Sequence, residues 1–146
     1  MKVSKCMTRD VQLATPTQSI RDAARMMLEL DAGALPVQQD DRLVGMITDR
    51  DIALRAVAAG KSPETPIREV MSREVLYCFD DQELKDIARN MGEVKVRRLP
   101  VLNRDKRLVG IVSLGDVARN DDATNIGETV TRVSTPGGKH DQTAAH

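Results

Sequence analysis

Aromatic residues are almost absent from this chain of 146 residues, which has one Tyr, one Phe and no Trp. Bases of single-stranded nucleic acid stack on aromatic side chains, so the chain lacks that kind of surface. It also lacks an excess of positive charge, since 22 basic side chains balance 22 acidic ones. We therefore do not expect nucleic acid as a partner. With 40% hydrophobic residues, we expect a globular protein with an aliphatic core.

Cysteine and long apolar runs are scarce as well. Cys6 and Cys78 cannot form a disulfide framework, and they indicate reduced thiols in a reducing compartment. No apolar run approaches the roughly 20 residues that a membrane span needs. The first five residues lack the apolar stretch of a signal peptide. The expectation is a cytoplasmic protein with no membrane segment.

Residues that carry catalysis or bind metals are also few. The two histidines, His140 and His146, lie in a polar C-terminal tail. No Cys-x-x-Cys pair, no Gly-rich phosphate loop and no nucleophile–base pair is recognisable. We expect no catalytic residue, no metal site, no obligatory cofactor and no enzymatic activity.

An internal repeat is the main feature of what is present. A shift of 64 residues superimposes the chain on itself, and 12 of the 35 positions from Val3 to Val37 are then identical. After Val37 the second copy has one extra residue, in a polar stretch typical of a hairpin tip. We assign 1–60 to repeat one, 61–66 to a linker, 67–122 to repeat two, 123–133 to a short helix and 134–146 to a disordered tail.

Both copies predict the same order of elements. A first strand near 11–13 (75–77 in copy two) precedes a helix with candidate N-caps Thr17 and Asp81. Apolar residues recur at helical spacing on this helix: Ile20, Ala23, Ala24 and Met27 in copy one, and Leu84, Ile87, Ala88 and Met91 in copy two. Two hairpin strands follow, at 34–37 and 43–47 in copy one and at 98–102 and 108–112 in copy two.

The order of elements indicates an α/β fold, more narrowly α+β. A second helix opens at Thr48 or Ser113, and in copy one it ends at Gly60. One copy is a small sheet with helices on one side, which leaves the other face of the sheet apolar and uncovered. Two copies packed through their sheets with pseudo-two-fold symmetry would cover that face.

A motif recurs where the last strand of each copy meets its second helix: Gly45-x-x-Thr48-x-x-Asp51 and Gly110-x-x-Ser113-x-x-Asp116. The glycine lets a ligand or a neighbouring backbone approach closely. A hydroxyl at the helix N-terminus favours a phosphate, and a carboxylate one turn later can accept the hydroxyls of a ribose. The same pattern is also an ordinary helix start. Its recurrence in both copies favours the nucleotide interpretation.

Together with Leu35-Pro36-Val37 and Arg98-Leu99-Pro100-Val101, these motifs closely resemble a tandem pair of CBS domains, the Bateman module. The openings Met7-Thr8 and Met71-Ser72 fit that family too, and the resemblance spans Val3 to Asn120. It implies two β-α-β-β-α repeats, ligand clefts between them and pairing of modules into a homodimer. Family members bind AMP, ADP, ATP, NAD-type dinucleotides, S-adenosylmethionine or no known ligand.

The resemblance also implies where a ligand would bind. Thr48 and Asp51 would serve one cleft, and Ser113 and Asp116 the other, with backbone groups near Thr15 or Phe79 reading the adenine edge. The expected aliphatic walls are Val11, Leu13, Ala34 and Pro36 in copy one, and Val75, Tyr77, Arg98 and Pro100 in copy two. The full set of candidate ligand residues is Ala34, Pro36, Gly45, Thr48, Arg50, Asp51, Arg97, Arg98, Pro100, Gly110, Ser113 and Asp116.

Arginines distinguish the two copies. Arg97 and Arg98 precede the second Leu-Pro-Val strand and could clamp phosphates, and related modules have a phosphate-contacting arginine at the place of Arg98. Copy one offers Arg50 and Arg55, of which Arg55 is better explained as a surface charge. Which cleft Arg98 serves stays open at this point.

Two functions compete. The first is a stand-alone regulatory protein that senses energy or redox state by binding an adenine nucleotide (AMP, ADP, ATP or NAD(H)), with an unidentified regulated protein as a further partner. The alternative is a dimerisation or partner-docking module with empty clefts. CBS pairs also occur inserted in enzymes of purine metabolism, but this chain has no room for a catalytic barrel.

Overall fold

The computed structural model describes residues 1–120 and 123–135. The chain folds into two compact units, each with a small sheet and helices. The first unit is Asp10–Val75, and the second unit combines residues 1–9 with the chain from Leu76 onward. The mixed α+β fold class is thereby confirmed, while the packing of the repeats through their sheets stays a prediction.

The first unit has two main helices, an antiparallel hairpin and a short 3₁₀ helix, Ile67–Glu69. Its elements are α1 (Ile20–Leu30), β1 (Ala34–Gln39), β2 (Arg42–Thr48) and α2, whose first turn Asp49–Asp51 continues as a π-helix over Ile52–Val57. As predicted, α2 ends near Gly60, which has a positive φ of 76°. The predicted first strand is wrong, because 11–13 form no ladder and only Ala14 bridges Val37 in parallel.

The second unit repeats this order. Its elements are β3 (Cys78–Phe79), α3 (Leu84–Val94), β4 (Arg98–Leu102), β5 (Leu108–Ser113), α4 (Leu114–Asn120) and α5 (Ala123–Ser134). β3 pairs in parallel with β4, so the first strand lies later than the predicted 75–77. α5 spans the stretch 123–133, where the sequence predicts a short helix. Ser134 ends α5, and the tail from residue 136 lies outside the described residues.

One aliphatic core lies in each unit, between the sheet and the helices. The predicted helix faces point into these cores: Ile20, Ala23 and Met27 are buried in the first unit, as are Leu84, Ile87, Ala88 and Met91 in the second. Ala24 is the exception, since it is exposed. Among the described helices, none has the length and apolarity to cross a bilayer.

The predicted N-caps are wrong by two residues. α1 begins after Ser19, whose Oγ accepts a hydrogen bond from the Asp22 N–H at 3.1 Å, and not after Thr17. α3 begins after Glu83, without a side-chain cap, and not after Asp81. Residues 16–17 and 80–81 belong instead to the preceding turns.

Short segments are exchanged between the repeats. Thr8, at the start of repeat one, pairs with Ile111 of β5, and Ser72, at the start of repeat two, pairs with Met46 of β2. Each folded unit therefore contains the opening residues of the other repeat.

Candidate functional site

The two faces of each hairpin have different roles. In the first unit, Leu35 pairs with Ile47 and both are in the core. Ala34 pairs with Thr48 and Pro36 with Met46, so by strand alternation these residues lie on the face turned away from that core. This face brings together an apolar wall, Ala34 and Pro36, and the hydroxyl of Thr48.

The second unit has the same arrangement with one important replacement. Arg98 pairs with Ser113 and Pro100 with Ile111 across β4 and β5. Directly paired residues share a face of the sheet, so Arg98 lies beside Ser113, where copy one has Ala34 beside Thr48. Ser113 ends β5 and Asp116 lies in the first turn of α4, and we call this strand-to-helix junction the second corner. The structure thus places Arg98 at the second corner, within its own unit.

The first corner is the junction of β2 and α2, where the side chains of Thr48 and Asp51 each bind the other residue's backbone N–H. The Thr48 N–H donates to Asp51 Oδ2 at 3.0 Å, and the Asp51 N–H donates to Thr48 Oγ1 at 3.0 Å. This is a reciprocal capping box, and it holds both side chains in one orientation. Asp51 Oδ1 lies 3.7 Å from Nε of Arg55 on the next turn.

The second corner reproduces this geometry. The Ser113 N–H donates to Asp116 Oδ2 at 2.9 Å, and the Asp116 N–H donates to Ser113 Oγ at 3.1 Å. Arg119, one turn further, binds Asp116 Oδ1 through its guanidinium. The duplicated sequence motif is therefore a duplicated structural corner.

Both carboxylates are buried. The exposed fraction is 8% for Asp51 and 5% for Asp116, and among the described residues no other charged residue is buried. A buried charge is tolerated only where hydrogen bonds or counter-charges compensate for lost water, which the backbone N–H and the arginine do here. Each carboxylate keeps lone pairs, and each hydroxyl keeps its own proton to donate. The corners can thus accept from, and donate to, a polar ligand.

Three of the candidate arginines carry free charge. Arg50, Arg97 and Arg98 are exposed and form no ion pair within the part of the chain that the structure describes. Their guanidinium groups remain open to an anion such as phosphate. The Arg97 carbonyl also accepts a hydrogen bond from the N–H of Leu114, the first residue of α4, at 2.8 Å.

Gly45 and Gly110 meet neighbouring backbone. A Cβ on Gly45 would lie 2.8 Å from the Ser72 carbonyl oxygen, and one on Gly110 would lie 2.7 Å from that of Thr8. Of the two reasons that the sequence offered for these glycines, the close approach of a backbone is the one found. The structure therefore gives both glycines a packing role, and the ligand contact expected of them stays a prediction.

Two of the backbone donors in the regions expected to read an adenine edge, near Thr15 and Phe79, are already engaged. The Thr15 N–H donates to Gln18 Oε1, and the Phe79 N–H donates to Gln82 Oε1, each at 2.8 Å. A base could use these donors only if it displaced the glutamine amides. The two glutamines occupy matching places in the repeat, a signal that the sequence prediction missed.

An aromatic cluster in the second unit was also missed. Tyr77 and Phe79 meet edge to face with ring centroids 5.6 Å apart, and the Arg104 guanidinium lies 4.1 Å from the centroid of the Phe79 ring. Arg104 also binds both Asp81 oxygens at 2.8 Å. Arg104 lies in the hairpin that carries the extra residue of copy two, and that insertion was the available signal.

Known proteins share this architecture. The family model of the CBS domain matches residues 3–57 and 67–122. The CBS domain-containing protein YhcV of Bacillus subtilis is 41% identical over 133 residues, which cover 90% of this chain and 94% of that protein. The crystal structure of a conserved CBS domain protein of unknown function from Thermoplasma acidophilum, TA0289, aligns with a TM-score of 0.83 at 30% identity and covers 96% of this chain and 80% of that one.

Two further solved structures contain ligands. CBSX2 in complex with AMP aligns with a TM-score of 0.70 at 31% identity, over 81% of this chain and 93% of that one. The CBS domain pair of MJ0100, in complex with 5-methylthioadenosine and S-adenosyl-L-methionine, aligns with a TM-score of 0.72 at 29% identity, over 82% and 94%. Since the family model matches both repeats, the chain belongs to the CBS domain family and carries two tandem copies of that domain.

Proposed function

We propose that this CBS pair is a regulatory protein that binds an adenine nucleotide (AMP, ADP, ATP or NAD(H)) and acts as a homodimer on an unidentified regulated protein. The observation that carries the proposal is the doubled corner of hydroxyl and buried carboxylate beside an apolar sheet face. Thr48 with Asp51, and Ser113 with Asp116, hold the same geometry in both units. A ribose, with two adjacent hydroxyls, suits a carboxylate that is already oriented.

The surroundings of the corners support a nucleotide over a simple sugar. Ala34 and Pro36 in one unit, and Pro100 in the other, offer apolar contact for a base on the same sheet face as the hydroxyl. Arg98 beside Ser113 adds a cation for phosphate. CBSX2 binds AMP and MJ0100 binds adenosine-containing ligands, which makes this ligand class the first to test.

The two corners differ in charge, and this bears on the ligand. The second has Arg97 and Arg98 at the start of β4, where the first has Gly33 and Ala34 at the start of β1. We expect the second corner to prefer the more highly phosphorylated ligands. The first corner, with Arg50, would accept a ligand with less negative charge.

A thermal-shift and calorimetry series tests the proposal. At a free concentration of 100 times its dissociation constant, a nucleotide that binds only the folded protein stabilises it by about 2.7 kcal/mol. For a domain of this size, that raises Tm by roughly 5–10 °C. Asp51→Asn and Asp116→Asn should each weaken binding at one corner by about tenfold or more, because a neutral amide is a poorer acceptor for the ribose hydroxyls.

Ser19→Ala is the matched control. Ser19 caps α1 by the same kind of hydrogen bond, 3.1 Å to the Asp22 N–H, but it lies outside the corners. It should cost stability like the corner variants and leave the nucleotide response intact. Unchanged nucleotide affinity in both Asp→Asn variants would remove the basis of the proposal.

A second candidate, a docking module with empty clefts, is favoured by one observation. Thr48 and Asp51 satisfy each other without any ligand, so the helix start alone accounts for them. The docking module would be favoured if AMP, ADP, ATP and NAD(H) leave the Tm of the protein unchanged and the protein still binds a partner.

A further inference from the structure

The second corner contains a third arginine besides Arg97 and Arg98. Arg119 lies one turn after Asp116 on α4, and its Nη2 donates a hydrogen bond to Asp116 Oδ1. The carboxylate is buried, whereas 69% of the Arg119 side chain is exposed. The guanidinium group is therefore anchored to a buried charge and remains open to solvent.

A glycine gives this guanidinium group its place at the corner. A Cβ on Gly115 would lie 3.4 Å from Nη1 of Arg119 and 3.6 Å from Ser113 Oγ. The Arg119 guanidinium and the Ser113 hydroxyl thus both lie around the bare backbone of Gly115. In copy one the matching position is Arg50, so only the second copy lacks a side chain there.

The first corner has no equivalent of this ion pair. The residue that matches Arg119 in copy one is Leu54. Arg55 is the arginine nearest to that carboxylate, but its Nε lies 3.7 Å from Asp51 Oδ1, which is too long for a hydrogen bond. Asp116 is therefore hydrogen-bonded to a guanidinium group, and Asp51 is not.

The ion pair changes how the second corner responds to a charged ligand. A buried carboxylate repels a phosphate, and the repulsion is strong because water screens it little. Arg119 compensates for the charge of Asp116. A guanidinium group has five N–H donors, so Arg119 can bind a phosphate oxygen without leaving Asp116. Because Arg119 is already held in place, it also loses less conformational entropy on binding than a free arginine does.

We infer that Arg119 makes the second corner selective for phosphorylated adenine ligands over adenosine itself. Arg119 donates to the ligand phosphate, while Asp116 and Ser113 bind the ribose. The inference rests on the proposed nucleotide binding, and it adds a residue that lies outside the duplicated motif. The effect of Arg119 should grow from AMP to ATP, because the attraction increases with the charge of the phosphates.

Calorimetry of the full chain with adenosine, AMP and ATP tests the inference. Asp51→Asn serves as the parent protein, because it weakens the first corner and leaves the second to be measured. Adding Arg119→Gln should weaken AMP binding about tenfold and ATP binding more, and should change adenosine affinity by less than about twofold. Glutamine can still donate to the carboxylate of Asp116 three residues earlier, so the helix start is kept. Circular dichroism verifies the fold.

Two further variants are the controls. Arg119→Lys keeps the positive charge and should recover most of the preference for AMP over adenosine. Arg21→Gln removes the same charge from an exposed arginine of the first unit, whose Nη1 lies 3.2 Å from Glu64 Oε1. It should leave all three affinities within about twofold of the parent, because Arg21 lies outside both corners.

The results separate this inference from the proposed function. A wild-type protein that binds neither adenosine nor any adenine nucleotide overturns both. If Asp116→Asn weakens nucleotide binding but Arg119→Gln lowers the affinities for adenosine, AMP and ATP equally, the proposed function stands and the selectivity assigned to Arg119 is overturned. Unchanged affinities in Arg119→Gln, or an equal loss of AMP binding in Arg21→Gln, would overturn that assignment as well.

Discussion

At the residue scale, Asp51 and Asp116 have an observed structural role and a proposed ligand role. Their Oδ2 atoms hold the starts of α2 and α4 through the N–H groups of Thr48 and Ser113. These hydrogen bonds fix the rotamer of each buried carboxylate, which would lower the entropic cost of the proposed ligand binding. The structural role and the proposed ligand role therefore depend on the same hydrogen bonds, which is why the control at Ser19 is needed.

Cys78 provides a prediction at the same scale. Burial in the core of the second unit, with smaller contributions from Cys6 and Asp80, raises the pKa of its thiol from 9.0 to about 12. Between pH 9 and about pH 12, the Cys78 thiol therefore loses its proton in the unfolded chain but keeps it in the folded protein. Folding stability should be intact below pH 9 and should fall as pH rises toward 12, by up to ~1.4 kcal/mol per pH unit.

Urea denaturation between pH 8 and pH 11 measures this slope. Cys78→Ala removes the titrating group, so its stability should fall less steeply with pH, even though the smaller side chain lowers stability at every pH. The comparison depends on the slopes alone. Identical slopes in the two proteins would contradict a protonated, buried thiol.

At the scale of elements, the helix starts depend on more than their own sequence. The linker carbonyls of Pro63 and Thr65 accept hydrogen bonds from the Arg21 and Ile20 N–H groups. These bonds, together with the Ser19 cap, satisfy the free donors of the first turn of α1. Thr17, two residues earlier, lies in the preceding turn and has no such role.

Substitution of the two hydroxyl residues tests this account. Ser19→Ala should lower the free energy of unfolding by about 1 kcal/mol, because the Asp22 N–H loses its acceptor. Thr17→Ala should change it by less than about 0.5 kcal/mol, as is usual for an exposed residue. Thermal or urea denaturation gives both values. A larger loss for Thr17→Ala would restore the prediction from sequence.

At the scale of the whole molecule, the exchange of opening segments ties distant parts of the chain together. The Ser72 backbone pairs with Met46 in one unit, and the Thr8 backbone pairs with Ile111 in the other. Each contact depends on a glycine next to it on the strand, because any side chain there would strike the arriving carbonyl. A contact between residues far apart in sequence is thus controlled by the smallest side chain.

Alanine at these glycines should weaken the fold. Gly45→Ala and Gly110→Ala each place a Cβ under 3 Å from a backbone oxygen, and we expect a loss of about 1–3 kcal/mol from such overpacking. Gly127→Ala is the control, because no atom lies within 4 Å of the added Cβ and alanine favours the helix α5 by roughly 0.5–1 kcal/mol. Unfolding free energies that do not separate these variants would contradict the close approach.

The sequence by itself determined the duplication, the helices and hairpin strands, and the pairing of a hydroxyl with a carboxylate three residues later. These follow from periodicity and spacing within a few residues, which local geometry translates directly into structure. The repeat also exposed the difference in arginines between the copies. The register of β4 and β5 was then needed to place Arg98 beside Ser113.

Only the tertiary structure decided which neighbours meet. It showed that Gly45 and Gly110 receive a backbone, that Ser19 caps α1, and that α5 covers Gly92 while Leu28 stays open. These outcomes depend on segments that are distant in sequence arriving at one place. The free energy of such contacts comes from packing and satisfied hydrogen bonds across the fold, which no local pattern of residues contains.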